Sequence, residues 1–318
     1  MTHKEYLLHL IYSNFFLHKS SYYLLNDKEK RPEIALSDKM PTFALGFMTK
    51  MMNMDFVQPI PQLAYYDLGR GVTAFSTTRL GGYSEGTYAA FNINPYCGDD
   101  GDAVRRNREA LCRLLDITDD RLVMPHQVHR TEIAVIDEAF MQLPAVERQA
   151  LLEGVDALMT DLLGVCVGVS TADCIPVLLY DADHHACCAV HAGWRGTVER
   201  IVEKAVRQML EVYGTRPASL RAQIGPGISL DSFEVGDEVY EAFSQAGFDM
   251  TLISRKYQKW HIDLPACNRL QLEASGVSAS NITQSSVCTY LQPDTFFSAR
   301  RLGIHSGRIY TAILLSKT

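Results

Sequence analysis

The sequence has no P-loop, no G-x-G-x-x-G and no H-E-x-x-H, which leaves out the common phosphate cradle, the dinucleotide fingerprint and the zincin pair. It also has no C-x-x-C. Its eight cysteines, at 97, 112, 166, 174, 187, 188, 267 and 288, follow no framework spacing. In a chain of 318 residues this reads as reduced thiols in a cytoplasmic protein rather than a disulfide scaffold. No uncharged apolar run approaches the ~18 residues of a spanning helix. The formal charge is −7, so no positive excess favours nucleic acid or an anionic membrane. A nucleophile elbow is only echoed, because Gly168-Val-Ser170-Thr-Ala172 lacks the second glycine.

What is present divides into two parts. Residues 1–54 are rich in Tyr and Phe, then turn polar at Asn26-Asp-Lys-Glu-Lys-Arg31. No small-residue cleavage site follows the short apolar stretch, which argues against a signal peptide. This segment reads as a loosely packed N-terminal extension, the alternative being a docked amphipathic helix. Residues 55–318 read as one large domain. Strands are expected at Gly71–Thr78, Arg121–Met124, Glu132–Ile136, Ala157–Met159, Val165–Val169, Val177–Tyr180 after Pro176, Ala186–Val190 and Ile309–Leu315. Helices are expected at Asp102–Leu115, Pro144–Glu153, Val198–Tyr213 with Thr197 as N-cap, Gly236–Ala246, and from His261-Ile-Asp263 to about Ser275. This irregular alternation predicts a mixed-sheet α/β or α+β fold.

His129, Cys174 and His191 are the most informative residues. Each adjoins an apolar strand and a turn signal, where sites are commonly built. Two imidazoles and a thiolate suit zinc or copper, and three protein ligands leave a fourth position open for water or substrate. The same residue types also occur as ordinary packed groups in a core. Composition and spacing do not decide between these readings.

A wider set of motifs bears on the choice. Arg79-Leu-Gly-Gly82, Gln127-Val-His129, Gly154-Val-Asp-Ala-Leu-Met-Thr160, Thr171-Ala-Asp-Cys-Ile-Pro176, His191-Ala-Gly-Trp-Arg-Gly196, Ile224-Gly-Pro226, Phe233-Glu-Val-Gly236 and Phe296-Phe-Ser-Ala-Arg-Arg301 occur in this order. Over about residues 70–310 the chain resembles the laccase-domain family, also called polyphenol oxidase or multicopper-oxidoreductase-like. Its members are mostly described as purine nucleoside phosphorylases with adenosine deaminase activity. The resemblance implies a four-layer αββα sandwich with mixed sheets. It also implies a metal site at His129, Cys174 and His191. With zinc, metal–N distances near ~2.0–2.1 Å and metal–S near ~2.3 Å are expected, with donor atoms about 4 Å apart. Departures from the pattern are Arg130 after the QVH motif, Gly227 where many members carry cysteine, and Ala299 where an aromatic residue is usual. The last two bear on the substrate pocket.

Around the three ligands, Asp173 either orients an imidazole or exchanges protons near the metal, or else it holds its own loop as a turn residue. Arg79 and Arg195 adjoin glycine-rich turns and are candidates to clamp phosphate, the alternative being ordinary ion pairs. Arg300 and Arg301 are weaker candidates. Trp194 and Phe297 either stack a purine or pack in the core. His126 reads as supporting or structural, and Cys187 as a core thiol. His184 and His185 read as solvated turn residues.

The expected function is therefore a zinc-dependent purine nucleoside enzyme, with copper as the alternative metal. It would use phosphate to cleave adenosine, inosine, guanosine or methylthioadenosine, and water to deaminate adenosine. Other readings are a hydrolase editing peptidoglycan precursors through Cys174, a copper polyphenol oxidase and a non-catalytic partner protein. With ten histidines but no H-x-H and no H-C-H, the chain lacks the ligands of a blue-copper laccase. A monomer or small homo-oligomer is expected.

Overall fold

The computed structural model describes residues 60–316. The expected extension 1–54 lies outside the described residues. In chain order the strands are β1 (Leu63–Tyr66), β2 (Val72–Thr77), β3 (Leu122–Val123), β4 (Ile133–Val135), β5 (Ala157–Thr160), β6 (Cys166–Thr171), β7 (Ile175–Asp181), β8 (Ala186–Ala192), β9 (Arg221–Ile224), β10 (Glu234–Val235), β11 (Ser254–Lys256), β12 (Trp260–Ile262), β13 (Ile282–Gln284) and β14 (Ile309–Leu315).

Strand side chains alternate between faces, and here both faces are apolar. In β7, Val177 and Leu179 pack with the helices Ile201–Tyr213 and Leu264–Ala274. Leu178 and Tyr180 turn the other way, onto Val167, Val169, Ile313 and Leu315 of a second sheet. The outer face of that second sheet, with Cys166, Tyr310, Ala312 and Leu314, is covered by Ala110, Leu111 and Cys112 of the helix Gly101–Leu115. The order helix, sheet, sheet, helix makes four layers, as the resemblance implies. Every residue of β6, β7, β8 and β14 is buried, as strands covered on both faces require.

One sheet runs β1-β2-β14-β6-β3 and the other β13-β9-β7-β8-β5-β4, with a small β10-β12-β11 sheet beside them. Both large sheets are mixed, since β3–β6, β4–β5 and β13–β9 pair in parallel and the remaining pairs are antiparallel. β6 belongs to one sheet and β7 to the other, so the chain crosses between sheets at residues 172–174.

Most expected elements fall where the pattern puts them, but three differ. The helix expected at Val198–Tyr213 is two helices, Trp194–Val198 and Ile201–Tyr213. Arg200 breaks them with a left-handed backbone, φ 64°, and its guanidinium bonds the Ala246 carbonyl and lies 3.7 Å over the Phe248 ring. Thr197 is thus inside the first helix rather than a cap, and Gly193 takes the N-cap position. His261 and Ile262 lie in β12, and only Asp263 caps the helix that follows, accepting from Ala266 N at 2.9 Å. β7 begins two residues earlier than expected and includes Pro176, whose carbonyl accepts from Gly225 N.

Candidate metal centre

Three pieces of chain converge at the crossing between sheets. Cys174 ends the 172–174 connection, His191 lies near the end of β8, and His129 sits in the turn that precedes β4. Their donor atoms all lie within 4.8 Å of one another. That is somewhat wider than the spacing expected around a bound ion, but all three belong to one constellation. The two imidazoles meet edge to face, with centroids 4.7 Å apart.

Asp156 holds this arrangement. Its carboxylate is fully buried, and Oδ1 accepts from His191 Nδ1 at 2.7 Å and from His129 N at 3.0 Å. Oδ2 accepts from Arg130 N at 2.8 Å and Val128 N at 3.3 Å. Successive N–H groups thus form a nest around a carboxylate, and the same carboxylate fixes the tautomer of His191. With Nδ1 committed, Nε2 is the nitrogen left for a metal. The turn bearing His129 is pinned at its other side by Gln127, whose amide exchanges two hydrogen bonds with the Ser170 backbone. His129 itself adopts φ 62°, an uncommon conformation for a non-glycine residue, held here by Asp156.

The electrostatics suit a metal. Burial alone would raise the Cys174 thiol, but the adjacent His191 and the hydrogen bonds from both imidazoles outweigh it and hold the thiol down at about 6. Burial alone would lower His191, yet the Cys174 thiolate and the Asp156 carboxylate raise it. Burial pulls Asp156 upward, but its bond to His191 and the backbone N–H groups leave it lowered. Both shifts favour a thiolate at Cys174 beside a protonated His191.

Gly193 tests whether an ion fits. A Cβ there would lie 2.9 Å from His129 Cδ2, 3.2 Å from Cys174 Sγ and 3.6 Å from His191 Cε1. Only glycine leaves the hollow among the three donors clear. The ligand set opens onto a cleft of about 330 Å³. His126, Tyr96, Thr171, Ala299 and Arg308 are among the residues lining that cleft, and no Asp or Glu among the described residues does so. The donor set therefore fits a metal with one side open to a ligand.

The other candidates sort by position. Asp173, with φ 88°, accepts from Thr289 Oγ1 and from Arg300 N, each at 2.7 Å. It holds the crossing loop, and orientation of the ligand imidazole falls to Asp156 instead. Arg79 gives its guanidinium to the carbonyls of Ala89 and Pro293 and lies over Phe297, away from the cleft. Arg195 is exposed and stacks on Trp194, also outside the cleft lining. Arg300 and Arg301 lie over Phe233 and Tyr290. Phe297 is fully buried in the core, while Trp194 packs at its edge. Cys187 lies in the apolar layer between the sheets. Ala299 lines the cleft, whereas Gly227 packs behind the crossing loop, where a Cβ would fall 2.3 Å from Ile175 Cδ1. His126 lines the cleft, stacked on Tyr96 at 4.3 Å, with Nδ1 donating to Glu153 at 2.7 Å.

Sequence reasoning missed Asp156 and Arg308. Asp156 lies inside the Gly154–Thr160 motif, and a charged residue opening an otherwise apolar buried strand must find partners. Arg308 carries no comparable signal.

The chain also matches known proteins along most of its described length. Residues 73–316 match the family model described as multi-copper polyphenol oxidoreductase laccase. The chain is 49% identical over 249 residues to a purine nucleoside phosphorylase of Bacteroides thetaiotaomicron, covering 77% of this chain and 92% of that one. It is 44% identical to adenosine deaminase RL5 from an unknown prokaryotic organism, covering 84% and 99%. Among solved structures, YlmD from Geobacillus stearothermophilus superposes with a TM-score of 0.74 at 30% identity, covering 81% of this chain and all of that one.

Proposed function

This chain belongs to the multi-copper polyphenol oxidoreductase laccase family, and from that membership and the donor set we propose a zinc-dependent purine nucleoside enzyme. It cleaves the glycosidic bond of purine nucleosides with phosphate and deaminates adenosine with water. The observation that carries this reading is the His129–Cys174–His191 set, open on one side to a cleft in a chain whose relatives are named for these two reactions. Two imidazoles and one thiolate suit zinc, and copper is the alternative. Zinc held there would supply a Lewis acid and make water a usable nucleophile near neutral pH.

The remaining steps belong to the chain's own residues. Asp156 keeps His191 in one tautomer and fixes the His129 turn. Asp173 keeps Cys174 in place by tying the crossing loop to Thr289 and to the backbone of Arg300. With no carboxylate among the described residues lining the cleft, His126 is the group that carries a proton to the leaving amine. Its Nδ1 is committed to Glu153, which leaves Nε2 for the exchange. Tyr96, stacked on His126, offers an aromatic face to the purine. A cytoplasmic location suits eight unpaired thiols.

The test is a product assay on zinc-loaded protein. Adenosine should give inosine without phosphate, and with phosphate a free base and ribose 1-phosphate should form. Undiminished turnover after complete zinc removal would contradict the metal mechanism. Hydrolysis confined to a cell-wall precursor peptide would replace it with a Cys174 thiol hydrolase, which the low thiol pKa also suits.

A further inference from the structure

Phosphorolysis needs a place for an anion, and the arginines singled out in the sequence do not reach the cleft. Arg308 does. It is the one Lys or Arg lining the cleft among the described residues, and no carboxylate lines the cleft to neutralise it. The strand register explains its position. Ile309 pairs with Thr171 in antiparallel β14–β6, so Arg308 comes opposite the start of the crossing loop that carries Cys174. The side chain is pinned rather than free, since its terminal nitrogens hold the carbonyls of Ile304, Ser306 and Gly307. Its backbone N–H donates to the buried Asn92. The positive charge is thereby fixed at the cleft wall instead of trailing into solvent.

A second observation points to the same cleft. Thr171 is buried, lines the cleft, and its Oγ1 has no hydrogen-bond partner among the described residues. A buried hydroxyl without a partner costs free energy unless a ligand or water supplies one. Asn94 lines the same cleft, with its Oδ1 accepting from Tyr96 N and its Nδ2 unengaged among the described residues. A guanidinium, a hydroxyl and an amide N–H are the donor set of an oxyanion site.

We propose that Arg308, with the Thr171 hydroxyl and the Asn94 amide, forms the subsite that holds inorganic phosphate beside the nucleoside. This rests on the phosphorolysis reading above and names the residues that serve it. In the reaction one oxygen of HPO4(2−) bonds to C1′ of the ribose. The C1′–N9 bond breaks and its electron pair stays on the purine. The purine takes up a proton to balance the one lost by phosphate, giving the free base and ribose 1-phosphate.

The experiment varies inorganic phosphate against a fixed nucleoside, using zinc-loaded wild type, Arg308→Gln, Arg308→Lys and Thr171→Val. Arg308→Gln should raise the phosphate KM about tenfold or more, as loss of a charge-assisted anion contact does, while the nucleoside KM moves less than about threefold. Arg308→Lys should recover part of the loss, since it keeps the charge but not the fork. Thr171→Val removes a hydroxyl that has no partner in the fold, so it should keep its melting temperature and still raise the phosphate KM several-fold. A phosphate KM within about twofold of wild type in Thr171→Val and in folded Arg308→Gln overturns the proposal. Calorimetric titration with inorganic phosphate and with adenosine 5′-monophosphate separates the underlying reading from this one. If wild type binds phosphate through Arg308 but performs no phosphorolysis, the subsite stands and the phosphorolysis reading fails. If phosphate does not bind, or if Arg308→Gln weakens only the nucleotide, the assignment to inorganic phosphate is wrong.

Discussion

Two aspartate–histidine pairs flank the β7–β8 hairpin, and they have opposite surroundings. At one end Asp156 and His191 meet at 2.7 Å, with side chains 0% and 2% exposed. At the other, Asp181 meets His184 at 2.8 Å, with the aspartate again 0% exposed but the imidazole 40% exposed. Asp181 also accepts from the backbone of Asp183 and His184, so it shapes the reversal between the strands. Asp156 shapes a turn in the same way, through Val128, His129 and Arg130, but its histidine stays buried with a cysteine on its far side. The same two residue types thus make a tight turn where the imidazole reaches water, and part of a candidate ligand set where it cannot. The difference lies in what the second ring nitrogen meets.

That comparison breaks most directly at Cys174. Cys174→Ala should abolish metal binding and reduce both activities more than about a hundredfold, as loss of one of three protein ligands does, read by elemental analysis beside the product assay. Asp156→Asn keeps the shape but cannot accept from every donor it now holds. It should weaken metal affinity about 10–100-fold. Asp181→Asn should leave metal affinity unchanged while costing about 1–3 kcal/mol of stability for a buried hydrogen-bond network, so chelator competition and thermal unfolding should separate the two ends. His126→Ala should spare the metal and lower kcat for deamination by a smaller factor than Cys174→Ala. The glycines give the mildest contrast. Gly193→Ala intrudes among the three donors and should reduce metal occupancy, whereas Gly214→Ala, at φ 72° and with its Cβ falling 3.7 Å from His184 Nε2, should cost only about 1 kcal/mol of stability.

The thiols allow a pH test. In metal-free protein Cys174 is held at about 6, so its thiolate dominates above that pH and is lost below it. Burial raises Cys97, Cys112, Cys166, Cys187, Cys188 and Cys267 instead. Iodoacetamide at pH 7 should therefore label Cys174 ahead of these six, with a rate that falls as pH drops through about 6, and zinc should block it. Equal labelling of Cys174 and Cys97 would remove the electrostatic account of the site.

The three candidate ligands were legible because a histidine or cysteine at the end of an apolar strand is noticeable, and because ordered motifs surround them. Their positioning carboxylate was harder to see, because Asp156 acts on His129, 27 residues earlier, and on His191, 35 residues later, and only folding brings them together. Arg308 depends on strand register, which a one-residue slip would destroy. The layer order rested on the family resemblance, because an irregular alternation of strands and helices predicts only a mixed-sheet fold and not how the sheets stack. The break at Arg200 was not legible, because the apolar period of Val198–Tyr213 continues across a residue whose left-handed backbone is set by contacts to Ala246 and Phe248.

X-ray absorption at the zinc edge of the purified protein reads whether His129, Cys174 and His191 bind one catalytic zinc. Two nitrogen neighbours at ~2.0–2.1 Å, one sulfur at ~2.3 Å and a light fourth ligand are expected, with the sulfur contribution gone in Cys174→Ala. A first shell without sulfur, or a spectrum unchanged by that substitution, would contradict a zinc held by these three residues.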